Sequence, residues 1–125
     1  MKKFYIFFLF FVVLHSACSQ SNEFETDGNG TITSYIGKET TVFIPEKIGK
    51  EVIINIGYEA FAGKNLTSLI IPDSIKYITS GAFEENNLTH VNIPNSVTFI
   101  EDGVCIREGL EFKIHGGIFL EITLY

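Results

Sequence analysis

Residues 56–75 recur twenty-two positions later as residues 78–97, with nine of the twenty positions identical: Ile, the pair Ala-Phe, the run Asn-Leu-Thr, then Ile-Pro and Ser. Unrelated stretches would share roughly one or two positions, so a fixed period is built into the chain and governs every local reading. One unit of this length cannot bury its own apolar residues, whereas stacked units share a continuous core. The period constrains the chain to a solenoid.

The register extends outward. Ile44-Pro45, Ile71-Pro72 and Ile93-Pro94 mark one point in three successive coils, 27 and then 22 residues apart. The surplus in the first interval, about five residues within 46–55, carries Gly49 and several charges and reads as a surface loop, where solenoids accept insertions. Beyond Ile93 the third copy keeps Pro94, Ser96, Val97, Ile100 and Gly103, then puts Val104-Cys105 where the others have Ala60-Phe61 and Ala82-Phe83.

Within a coil, Leu69 and Ile71 alternate with outward residues, the period of a strand with one buried face. Pro72 ends the strand because it lacks the amide that would continue a ladder. Ile75, Ile78, Ala82 and Phe83 return the chain at spacings too short and irregular for a full helix, so turns and a short 3₁₀ or helical piece are expected around 81–83. Leu88, Val91 and Ile93 form the next strand. Parallel strands are thus expected at about residues 41–44, 68–71 and 90–93, with Phe61 and Phe83 buried.

The string Ile-Pro-x-Ser-Ile-x-x-Ile-x-x-Gly-Ala-Phe-x-x-Asn-x-Leu-Thr-x-Val-x-Ile-Pro, read from Ile71 to Pro94, resembles the Treponema-type leucine-rich repeat of BspA-like bacterial surface antigens. The resemblance covers roughly residues 40–114, with Asn86 and Asn87 standing where many family repeats have cysteine. It implies a leucine-rich repeat solenoid, α/β by convention but mostly β and turns: a short right-handed array with a concave, parallel strand-lined sheet. It also implies a cell-surface location and a role in adhesion, with no catalytic residues and no cofactor.

Lys2 and Lys3 precede an uncharged apolar run over residues 4–14, followed by His15-Ser16-Ala17-Cys18, the three parts of a secretory signal peptide. Eleven apolar residues are too few to cross about 30 Å of hydrocarbon. Ser-Ala-Cys resembles a lipobox, although His15 stands where Leu, Val or Ile is usual. Cleavage before Cys18 with lipidation of that cysteine is the favoured reading, and ordinary cleavage near Ala17 or Ser19, which would leave a secreted protein, is the alternative. The expected organisation is a signal peptide over 1–17, a flexible polar tether over 18–30 and a repeat domain over 31–125, of three to four coils with a C-terminal cap.

Loss of the leader leaves seven basic residues against fifteen acidic ones. Such a surface repels nucleic acid and anionic headgroups, which excludes DNA or RNA as a partner. Contact with a membrane is expected only through lipid on Cys18. Cys105 falls at the buried Phe61/Phe83 position and reads as a core thiol; a bridge to Cys18 requires that Cys18 be neither lipidated nor removed.

Catalytic and metal chemistry find no support. His90 and His115 lack a cysteine or second histidine at ligand spacing, and no nucleophile motif or phosphate loop occurs. Glu84-Glu85 and Glu101-Asp102 occupy non-equivalent places and read as solvated turns. Ser74 and Ser96 recur as small polar turn residues. Asn65 and Asn87, at equivalent places, are expected to bond backbone groups from coil to coil.

In the C-terminal stretch, residues 110–114 and 118–124 alternate about His115-Gly116-Gly117, the pattern of a hairpin closing the open end; a decayed remnant of a longer array is the competing reading. Outward strand positions align as Thr41, Ser68 and His90 in one row and Phe43, Ile70 and Asn92 in the next, with Lys113 following. The expected ligand-binding residues are Phe43, Ile70, His90 and Asn92, for a protein or glycan on a host or neighbouring cell. Phe43 and Ile70 are the informative pair, being large apolar residues where the coil has no need to bury them. The functional reading is a lipid-anchored surface module for weak, multivalent adhesion on the bacterial cell surface or outer membrane. A structural envelope lipoprotein without a ligand is the second reading, and a small secreted enzyme the third and weakest.

Overall fold

The structure is a computed structural model that describes residues 22–104 and, for the backbone alone, residues 111–114. The leader, residues 18–21, Cys105 and residues 115–125 lie outside the described residues, and with them the expected partner of the C-terminal hairpin.

In chain order the strands are β1 (Phe24–Thr26), β2 (Thr31–Tyr35), β3 (Thr41–Phe43), β4 (Lys47–Ile48), β5 (Glu51–Val52), β6 (Asn55–Ile56), β7 (Ser68–Ile70), β8 (Tyr77–Ile78), β9 (His90–Ile93), β10 (Phe99–Ile100) and β11 (Glu111–Ile114). The front sheet has the order β11-β9-β7-β3 and all its pairs are parallel, as the repeat register requires. The strands expected near 41–44, 68–71 and 90–93 are its rungs, and β11 adds a fourth beside β9. Val42, Leu69 and Val91 point inward in matching places, as do Ile44, Ile71 and Ile93 just before each proline or at the strand's end.

A second, back sheet of order β1-β2-β6-β8-β10 closes the other side of each coil. Sequence periodicity did not announce it, because β6, β8 and β10 are two residues long and show no alternation. The return segment at 80–85 is turn rather than helix, with bonds from Ala82 N to Thr79 O and from Glu84 N to Gly81 O. These turns also form a ladder of their own. Tyr35 N donates to Ala60 O, Phe61 N to Ala82 O and Phe83 N to Val104 O, at 2.7, 2.9 and 3.0 Å. Every side of the coil is therefore hydrogen-bonded to its neighbour, which satisfies backbone groups that a buried loop would strand.

The core is a column between the two sheets. Phe61 and Phe83 are buried with ring centroids 6.0 Å apart, and Tyr35 stacks on Phe61 at 5.6 Å with Phe24 against both. Phe24 and Tyr35 come from the β1–β2 hairpin, so this hairpin covers the apolar end of the column. The tether expected over 18–30 is corrected here: from Phe24 on, the stretch belongs to the folded unit. Its polar composition concealed a strand whose one apolar residue is the one that docks. Gly28-Asn29-Gly30 is the hairpin turn, fixed by the Asp27 carboxylate accepting from Asn29 N at 2.8 Å and Thr31 N at 3.1 Å.

The insertion at 46–55 is likewise more than a loop. It folds as the antiparallel pair β4–β5, and Glu51 reaches back to accept from Thr26 Oγ1 at 2.7 Å and from Gly30 N. The extra residues thus fasten the N-terminal hairpin to the first coil.

Candidate functional site

A parallel ladder places residues of successive rungs side by side about 4.8 Å apart. Phe43 pairs with Ile70 and Ile70 with Asn92, giving one continuous outward row, and the backbone of Lys113 pairs with Asn92 on the next rung. Thr41 and Ser68 pair in the adjacent row, which His90 continues two residues before Asn92. The structure therefore brings the four sequence-predicted residues onto one face, three in a single row and His90 beside them. Phe43 is 49% and Ile70 50% exposed, so neither belongs to the core and the N-terminal segment does not cover Phe43. His90 is exposed, with its Nδ1 3.1 Å from the Thr89 hydroxyl.

The chemistry of this face is apolar at its N-terminal rungs and polar at the next. Among the described residues no group of three or more His, Cys, Asp or Glu side chains could hold a metal ion. Ser74 and Ser96 place their hydroxyl oxygens in buried positions at the corners, without hydrogen-bond partners. Also among the described residues, no helix is long and apolar enough to cross a membrane.

The coil-to-coil asparagine is not the one the repeat suggested. Asn65 and Asn87 are exposed, and Asn65 has φ +57°. Asn86 carries the role instead, with its side chain buried. Its Oδ1 accepts from Lys64 N at 3.1 Å and Leu66 N at 3.0 Å, and its Nδ2 donates to the carbonyls of Phe61, Phe83 and Glu84 at 2.7, 3.0 and 3.1 Å. The identity of residues 65 and 87 drew attention to the wrong member of the Asn86-Asn87 pair. Asn86 faces Lys64 in the repeat and so matches nothing.

A second exposed feature went unnoticed in the sequence. On the back sheet Asn55 pairs with Tyr77 and Tyr77 with Phe99, and the two rings lie 6.5 Å apart while each is about half exposed. The signal was present as Tyr and Phe twenty-two residues apart, but without the back strands nothing assigned them a face.

A family model described as the BspA type leucine rich repeat region matches residues 31–112 in six copies. Among solved structures, the crystal structure of the T. pallidum leucine-rich repeat protein is similar, at 20% identity and a TM-score of 0.43, over 66% of this chain and 64% of that one. The chain thus spans less than two thirds of that protein's length. No curated protein sequence matches. Leucine-rich repeat modules are non-enzymatic scaffolds that generally bind proteins, and those of the BspA type are typically surface-associated or exported bacterial proteins. With parallel rungs in the expected register and a family match over most of its length, the chain belongs to the BspA-type leucine-rich repeat family.

Proposed function

We propose that this chain is an exported, lipid-anchored binding module whose front sheet mediates weak, multivalent adhesion to a protein or glycan on a host or neighbouring cell. The observation that carries the reading is the half-exposed pair Phe43 and Ile70, in register on adjacent rungs of the face that the fold has no need to bury. Apolar side chains flanked by polar neighbours form an interaction surface. Four rungs make a face roughly 20 Å wide, a few hundred Å² against the roughly 800 Å² per partner of a standard interface. A single site therefore binds at micromolar or weaker affinity, an order-of-magnitude expectation, and dense display on a membrane converts this into avidity. Anchoring rests on Cys18, since stable attachment needs more than one acyl chain and a bacterial lipoprotein carries several.

Replacing both Phe43 and Ile70 by Ser tests the site. Adhesion in a plate assay against matrix proteins and neighbouring cells should disappear while the thermal transition stays in place. Retained adhesion by the folded variant would move the site off this face, and no adhesion by the parent chain would favour the structural envelope role. Cys18→Ser should release the protein from the detergent phase; unchanged partitioning would make the apolar leader the anchor.

A further inference from the structure

Where β7 and β9 end, the corner residues of two successive coils line an open surface cavity of about 470 Å³. Its walls are of two kinds. Ile71, Ile93 and Pro94 supply apolar surface, while Asp73, Asn92 and Asn95 supply one carboxylate and two carboxamides. Asp73 and Asn95 hold the same place in their coils, twenty-two residues apart, and stacking sets them on neighbouring rungs. Asn92 also belongs to the outward row, so the cavity is continuous with the Phe43–Ile70 face.

Charge decides what fits. Among the described residues, none that lines the cavity is cationic, and the backbone of Lys113, next to Asn92 in register, lies on the rung away from Asp73's coil. The whole chain carries a net charge of −6. A carboxylate beside apolar walls suits a long cation whose methylene stem lies along isoleucine and proline while its head reaches the oxygens. The same carboxylate opposes an anionic group, and an acidic surface steers basic partners toward it.

We propose that this cavity receives a lysine or arginine side chain of a protein ligand lying across the front face. The recognised segment then combines apolar groups over Phe43 and Ile70 with a basic group between Asp73, Asn92 and Asn95. The proposal rests on the front-face reading above and gives it a ligand chemistry. A neutral saccharide, which the two carboxamides would also suit, is the competing occupant.

The test follows the side-chain amide resonances of Asn92 and Asn95 in the isotope-labelled chain as Nα-acetyl-arginine amide is added, with the neutral isostere Nα-acetyl-citrulline amide and methyl glucoside in parallel. The arginine probe should move both resonances saturably and bind about fivefold or more tightly than citrulline. Its binding should weaken severalfold between about 50 and about 500 mM salt. Asp73 is exposed, so Asp73→Asn should remove the binding without moving the thermal transition. The Phe43→Ser, Ile70→Ser double variant should still bind the probe, so failure of the front-face reading registers in adhesion and failure of this one in the titration. Equal binding of citrulline, tighter binding of the glucoside, or an unaffected Asp73→Asn variant would overturn the proposal.

Discussion

Replacing Asn86 by Ala removes what is, among the described residues, the one buried polar side chain that ties the second repeat coil to the third. Five backbone groups lose a partner, but they do not count equally. Lys64 N and Glu84 O are part-buried and can turn to water, whereas Leu66 N, Phe61 O and Phe83 O are held in buried bonds. Each buried group left unsatisfied costs about 1–3 kcal/mol, with carbonyls at the low end because local rearrangement serves them more easily. The expected loss is about 2–4 kcal/mol, a large part of the roughly 5–15 kcal/mol that holds a typical domain together. Urea unfolding reads it as a lower midpoint at unchanged slope. Asn86→Asp is the sharper variant, because it keeps the shape but sets a carboxylate against three carbonyls; it should be at least as destabilising as Ala. Asn87→Ala, at an exposed position, should stay within about 0.5 kcal/mol of the parent. A cost below about 0.5 kcal/mol for Asn86→Ala, or an equal cost for Asn87→Ala, would refute the assignment of the inter-coil bonds to Asn86.

Phe83→Ala should cost about 3–5 kcal/mol in the same assay, since Phe83 is 2% exposed and packs against Phe61; a cost under about 1 kcal/mol would mean that the column re-packs freely. Glu59 has φ +50° where the equivalent residues are Gly81 at +67° and Gly103 at +74°, so Glu59→Gly should stabilise by about 0.5–1 kcal/mol and raise Tm by a few degrees. A lower Tm would show that the Glu59 side chain contributes more than its backbone strain removes. The Asp27 carboxyl is held below its ordinary 3.8 by the amides of Asn29 and then Thr31, so its contribution is present above that value and is lost as pH falls through the lower folded pKa. Asp27→Asn should therefore flatten the loss of stability on acidification in this range, and a pH profile parallel to the parent's would dismiss the capping role.

The repeat by itself determined the front sheet. Residues identical at a fixed offset must occupy equivalent places in a stack, which set β7 and β9 in register, buried Phe61 and Phe83, and aimed Phe43, Ile70, His90 and Asn92 outward. It could not show the back sheet, because strands of two residues carry no period, nor the N-terminal hairpin, whose single docking residue Phe24 sits in polar sequence. It also favoured Asn87 over Asn86, because identity between coils marks what each coil needs for itself, whereas a bond between coils needs only one residue to supply it. The meeting of Asp73 with Asn92 and Asn95 belongs to the tertiary structure in the same way. Asp73 lies about twenty residues from Asn92 and Asn95 along the chain, and only the stacking of one coil on the next, about 4.8 Å away, sets their side chains around a common space.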